Sequence, residues 1–212
     1  DTPGYHNASR LFLTKRPPGY KAPPAQPSHL EAEAAGNRLR DCVSTFAFET
    51  EADGAAAVAA IMTAVLRRTL PAAPAICFDA PAPGSGKSLL ARVVSEVAIG
   101  RQGSLIALTG DEAEDEKRLA SGLLAGDAIL NADNIEATVG GAMLCSMITE
   151  PQVNVRMLGA SVLVPVPTNV CLMLNGNNLS LVRDLRRRVL LVRLNAGVER
   201  PEERVFSREA VG

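Results

Sequence analysis

Apolar and polar positions alternate in two rhythms along this chain. Ser28-His-Leu-Glu31 has the spacing of a capping box, in which Ser28 accepts from the Glu31 amide and Glu31 reaches back to the Ser28 amide, and it predicts a helix running to about Cys42. A second helix is predicted over Asp53 to Thr69, where Val58, Ile61, Met62, Val65 and Leu66 recur as a single apolar stripe expected to face the core. Arg67 and Arg68 stand in its last turn, favourable to the helix dipole. Beyond Pro71 and Pro74, short apolar runs alternate with amphipathic segments. Strands are predicted at Ala75 to Phe78, Ser104 to Leu108, Ala128 to Asn131, Val170 to Leu174 and Val189 to Leu194. Helices are predicted at Lys87 to Ile99, with Leu90, Val93, Val94 and Val97 on one face, at Glu112 to Leu124 and at Gly141 to Thr149. Nearly continuous apolar strands separated by helices are the pattern of a parallel sheet covered on both faces, so the expected fold is a three-layer α/β domain.

The organisation expected is a Pro-rich linker over 1–27, a helical N-terminal segment over 28–70 and a core over 71–212. The first stretch holds six of the 14 prolines and sustains no hydrophobic period. Length suits one ordinary domain, or one domain with a tail. Because residue 1 is Asp, the chain is expected to be a segment of something longer. A net charge of −1 gives no global field for nucleic acid or membrane, and with aromatics at 3% and no Trp a surface of stacked bases is not expected. Cys42, Cys77, Cys145 and Cys171 lie far apart without a CxxC pair, and three sit inside apolar runs, so they read as small buried hydrophobes in a reducing compartment. The start carries no targeting signal, and the longest apolar stretch, Ala55 to Val65, is too short to cross a bilayer. A cytoplasmic protein without a membrane partner is expected.

The most specific signal follows the strand at Ala75. Asp79-Ala-Pro-Ala-Pro-Gly84-Ser-Gly86-Lys87-Ser88-Leu-Leu opens the next helix. Small residues let backbone N–H groups converge on a phosphate while the helix N-terminus adds its positive end. Pro83, Gly84, Ser85, Gly86, Lys87, Ser88 and Leu89 are the candidate nucleotide-binding residues: Lys87 would reach the β- and γ-phosphates, and the Ser88 hydroxyl would ligate Mg²⁺. The full G-x-x-x-x-G-K-[ST] pattern fails at its first position, where Pro81 stands. An ordinary Gly-rich turn is the bland alternative.

An ATPase of this kind also needs an acid at the end of a neighbouring strand. Asp133 stands there, 46 residues after Lys87, although a mere polar strand exit would look the same. Asn134 occupies the slot where many such ATPases carry a Glu, and cannot act as a base, which leaves Glu136 and Glu114 as candidates. Glu114 equally fits a structural role, pairing with Lys117 and Arg118 in an acidic helix start. Asn175, Asn177 and Asn178 end a later strand, where amides could orient a water or sense the γ-phosphate, or simply turn the chain. Arg183, Arg186, Arg187 and Arg188 precede the last strand; one could be an arginine finger supplied across a subunit interface, and a solvated or DNA-facing cluster is the alternative.

Together, Ala80 to Leu90, Glu116-Lys-Arg-Leu, Leu123 to Asp127, Asp133-Asn134, Arg156-Met-Leu-Gly159, Gly176-Asn-Asn178, Asp184-Leu-Arg-Arg187 and Glu199-Arg-Pro-Glu202 resemble the ATPase domains of prophage- and plasmid-type primase-helicase proteins, which are similar to superfamily-3 helicases and AAA+ ATPases. The resemblance covers about 28–206. It implies a P-loop fold in which Gly84 to Ser88 hold ATP, Asp133 serves Mg²⁺, Asn177 or Asn178 is the sensor, and Arg187 or Arg188 is the finger in trans. It also implies a ring, usually hexameric, acting on single-stranded DNA, with Val153 to Pro167 as a hairpin facing the pore and Arg156 its only charge. In that family Asn follows the aspartate as here, so hydrolysis remains open to this chain. Only 18 residues follow Leu194, too few for the helical lid of a true AAA+ protein, which favours a superfamily-3-like plan with helices supplied from the N-terminal side.

Three functions thus stand as expectations: a ring-forming, ATP-driven DNA replication motor of a mobile element; a P-loop kinase acting on a small acceptor; and a nucleotide-dependent switch that does not hydrolyse.

Overall fold

The structure, a computed structural model, describes residues 4–6, 11–13, 15, 18–22, 24–157 and 162–197. The chain divides into two compact units, 1–38 and 39–212. In the first, strands β1 (Gly4–His6) and β2 (Leu11–Leu13) pair antiparallel, Gly4 opposite Leu13. Helix α1 (His29–Val43) starts there on the expected cap. The Ser28 amide donates to Glu31 Oε2 at 2.8 Å and the Glu31 amide donates to Ser28 Oγ at 3.3 Å. These bonds, the backbone one first, hold the Glu31 carboxyl below its ordinary pKa.

The second unit is built on a parallel sheet. Its elements are α2 (Glu51–Leu66) with a 3₁₀ turn at Arg67–Thr69, β3 (Ala75–Ala80), α3 (Lys87–Ile99), β4 (Ser104–Ile106) and α4 (Glu112–Ala125). Then follow β5 (Ile129–Ile135), α5 (Ala142–Thr149), β6 (Gln152–Arg156), β7 (Leu163–Pro167), β8 (Cys171–Asn177), α6 (Arg183–Arg186) and β9 (Val189–Arg193). The sheet order is β4-β5-β8-β3-β9, with every neighbouring pair parallel. From β3 the chain skips to the β4 edge, steps inward through β5 and β8, and finishes on the far side of β3. Such a switch of direction opens a crevice at the C-terminal ends of the strands.

Strand residues alternate between two cores. Ile76, Phe78, Ile129, Cys171 and Met173 join the cluster that includes α2 and α3, whereas Cys77, Leu130, Leu172 and Leu174 join the one that includes α4, α5 and the β6–β7 hairpin. Each fully buried Ile, Leu or Phe side chain contributes about 1.5–3 kcal/mol, and a strand apolar on both faces contributes to both cores.

Three expectations are corrected by the packing. In α2, Ile61 is fully buried, but Met62, Val65 and Leu66 are 49%, 53% and 47% exposed. The buried face is Ala57, Ala60, Ile61 and Ala64: alanines keep the helical period while letting α2 lie close on α3 and β9, so the bulky stripe is turned outward. On α3, Leu90, Val93 and Val94 are buried as expected, but Val97 is exposed. Arg67 is not a solvated complement to the dipole. It is buried, donating from Nε to the Val170 carbonyl at 3.0 Å and from its two other nitrogens to the Leu70 and Thr168 carbonyls, and desolvation lowers its pKa. Of the four free cysteines, Cys77 and Cys171 are buried, their thiols pushed up to about 12 chiefly by desolvation, whereas Cys145 is half-buried and Cys42 exposed.

Candidate nucleotide site

The loop from Pro81 to Gly86 leaves the C-terminal end of β3 and enters α3 directly. Its two left-handed positions are Gly84 (φ 74°) and Gly86 (φ 95°), conformations that L-residues rarely adopt. Pro81 is tolerated because its position requires no positive φ. Ser85 closes the loop on itself, its hydroxyl donating to the Ala82 carbonyl at 2.6 Å. Pro83 and Gly84 are exposed, Leu89 is half-buried, and Leu90 anchors the helix in the core.

Lys87 and Ser88 occupy the first two positions of α3 and point to neighbouring strand ends. Lys87 Nζ donates to Asn177 Oδ1 at 2.6 Å and to the Ala82 carbonyl at 3.2 Å. Burial lowers its pKa, opposed by the charges of Asp79 and Asp133; the net direction is down, so desolvation outweighs both carboxylates. Ser88 Oγ donates to Asp133 Oδ1 at 3.0 Å. Asp133 lies within a register shift of the β5–β8 pairing, between Ala132 and Ile135, and the Asn134 amide donates to its Oδ1 at 3.0 Å.

Among the described residues, the non-glycine positions with positive φ are Asn134 (54°) and Asn178 (50°). Each directly follows a residue that contacts the loop or its helix, Asp133 or Asn177. Asn tolerates this region, but it is an uncommon backbone state that must be held by its surroundings. One step below, Asn175 Nδ2 donates to Asn131 Oδ1 at 2.8 Å, fully inside the protein, and Asn175 Oδ1 has no partner. Asn131 and Asp133 on β5 and Asn175 and Asn177 on β8 thus form a polar patch beneath the N-terminus of α3. Sequence reading missed Asn131, although a polar residue inside an apolar strand run was its signal.

Other candidates lie elsewhere. Glu114, in the first turn of α4, pairs with Lys117 at 2.6 Å on the exposed surface. Glu136 accepts from Asn134 Nδ2 at 3.4 Å, three residues beyond Asp133. Arg187 donates from Nε to Asp184 Oδ1 at 3.0 Å, and Arg188 Nη2 meets Asp184 Oδ2 at 2.8 Å. The paired arginines hold the Asp184 carboxyl below its ordinary pKa, the Arg187 hydrogen bond most of all. They border a cavity of ≈ 390 Å³ with Pro74 and Thr149. The pairing of Ala75 with Val189 sets them beside the start of β3, so the length of that strand, about 20 Å, separates them from the loop. Arg156 ends β6 opposite Leu163, exposed at the free end of the β6–β7 hairpin, whose base is buried through Val153, Val155 and Val166. Gly159 and the Glu199 to Glu202 motif lie outside the described residues.

A strand, a Gly-bearing loop and a helix that opens with Lys-Ser, set at the C-terminal edge of a helix-covered parallel sheet, define an α/β P-loop fold. No protein-family model matches the sequence, and no curated protein matches it. Among solved structures, the chain is similar to the apo C-terminal region of NrS-1, with a TM-score of 0.52 and 16% identity over 91% of this chain and 44% of that one. Lower likenesses are to JCV helicase, at 0.45 and 14% identity over 80% of this chain and 46% of that one, and to an inhibitor-bound form of it, at 0.45 and 15% identity over 79% and 46%. The chain spans less than half the length of each. At such identities the NrS-1 likeness shows the fold alone.

Proposed function

We propose that the chain is the ATP-hydrolysing motor domain of a ring-forming DNA helicase or replication ATPase of a prophage or mobile element. The observation that carries this reading is the convergence of Lys87 with Asn177 and of Ser88 with Asp133 at one loop and helix N-terminus. Backbone amides of Gly84 to Ser88 bind the phosphates, and the buried Lys87 ammonium reaches the β- and γ-groups.

A hydroxyl and a carboxylate in contact suit Mg²⁺, a hard cation that takes few protein ligands and keeps phosphates and waters around it. Ser88 and Asp133 would hold it, and it would neutralise charge on the transferring phosphoryl. Asn177, already in contact with Lys87, senses the γ-phosphate, and Asn178 shapes the turn behind it. Arg187 or Arg188 is supplied in trans, because within one chain a strand's length keeps both from the loop. Arg156 contacts the backbone of single-stranded DNA from the hairpin, one charge per subunit sufficing for a ring of such contacts.

Sizing by light scattering with and without ATP·Mg²⁺ and a DNA strand, run beside a hydrolysis assay, tests the reading. Nucleotide-dependent assembly with DNA-stimulated hydrolysis supports it. Phosphoryl transfer to an added acceptor would favour the kinase, and binding without turnover the switch.

A further inference from the structure

We propose that Asp79 is a positioning residue for the phosphate sensor, fixing the turn that aims the Asn177 amide at Lys87. The inference rests on the nucleotide reading above. In the pairing of β3 with β8, Asp79 stands opposite Gly176 and Ala80 opposite Asn177. The chain then reverses within two residues. The Asn178 amide donates to the Ala80 carbonyl at 3.1 Å, and the Leu179 amide donates to Asp79 Oδ1 at 2.9 Å. A third bond, from Asn178 Nδ2 to the Pro81 carbonyl, is long at 3.4 Å. The Asp79 bond is the charge-assisted one, and such bonds are roughly twice as strong as neutral ones.

Gly176 makes the reversal possible. A Cβ there would lie 2.5 Å from Leu179 Cδ2 and 2.6 Å from the Ile135 carbonyl oxygen, a backbone atom that cannot step aside. Leu179 therefore folds back over Gly176 to meet Asp79. Strand alternation places Asp79 on the face of Cys77 and Asn177 on the face of Met173, so the carboxylate acts from the opposite side of the sheet. What Asp79 controls is where the strand ends and in which direction the Asn177 side chain leaves it.

The test compares Asp79→Ala, which removes the acceptor, with Asp79→Asn, which keeps an oxygen for the Leu179 amide and removes only the charge. Asp79→Ala is expected to lower kcat for ATP about tenfold, with KM and ADP affinity within about twofold, because the sensor acts on the group absent from ADP. Asp79→Asn is expected to stay within about threefold of the parent kcat. An unchanged kcat in Asp79→Ala, a parallel loss of ADP affinity, or an Asn variant as impaired as the Ala variant would each overturn the assignment. A second measurement needs no turnover: the ¹⁵N resonances of the Asn177 side-chain amide in the full chain should shift in Asp79→Ala and hold in Asp79→Asn. If the parent binds no nucleotide the motor reading fails, while those resonances still decide what Asp79 does.

Discussion

The two ends of the central sheet handle positive charge in opposite ways. At the C-terminal end, Lys87 is buried and held by two neutral oxygens, of Asn177 and Ala82. At the N-terminal end, Arg187 is 73% exposed and Arg188 less so, and both lean on the carboxylate of Asp184. A desolvated cation whose direct partners are neutral, with the carboxylates of Asp79 and Asp133 acting on it only from a distance, attracts an incoming anion strongly, because no ion pair must first be broken. Cations latched to a carboxylate at the surface are available to another molecule but bind little by themselves. On the function proposed above, one end binds within the chain and the other is presented to a neighbour.

The contrast is broken most readily at Lys87. Lys87→Ala should weaken ATP·Mg²⁺ binding by about a thousandfold or more in calorimetric titration, since the mutation removes the cation nearest the phosphates. A change of less than tenfold would show that the buried lysine is structural. Next come the arginines. Arg187→Ala or Arg188→Ala should leave nucleotide affinity within about twofold but lower kcat about a hundredfold in the assembled state only, and equal loss in dilute, unassembled protein would place the arginine at its own chain's loop. Thermal unfolding reads the third. Arg67→Met should destabilise by about 2 kcal/mol, because the Thr168 and Val170 carbonyls lose a buried donor, and should leave nucleotide affinity intact.

The smallest effect concerns pH. The folded pKa of Asp184 is depressed by Arg187 and Arg188, so the latch is fully formed above the unfolded carboxylate value and is lost as pH falls through the lowered one. Arg187→Ala should raise the Asp184 midpoint toward the ordinary value in a carbon-detected titration. No movement would mean that the contact is not held in solution.

The sequence was most legible where its punctuation was local. Helix α3 has the expected bounds because Gly86 and Gly100, both left-handed, flank it. Strand β5, in contrast, runs on through Asp133 and Asn134 to Ile135, past the apolar run, because Ile135 regains the core beyond the register shift. Helix α2 begins at Glu51, earlier than its apolar stripe, because Thr50 and Asp53 form a reciprocal cap that contributes about 1 kcal/mol. The same Asp53 accepts from the Arg193 amide of β9 across 140 residues, a contact that local pattern cannot contain. The loop, Asp133 and Asn177 were readable as separate signals. Their partnership depends on β8 lying between β5 and β3, an order that no periodicity encodes. Asp79 went unread as a site residue for the same reason, its partner Leu179 being 100 positions away.

The strand-length gap between loop and arginines has a consequence for mixtures. Each competent junction would draw one half from each of two chains, so a Lys87→Ala population and an Arg188→Ala population, inert apart, would between them contain every part. Co-assembled, they would restore turnover at those contacts where an unaltered loop meets an unaltered arginine, a complementation that a site housed in a single polypeptide could never display.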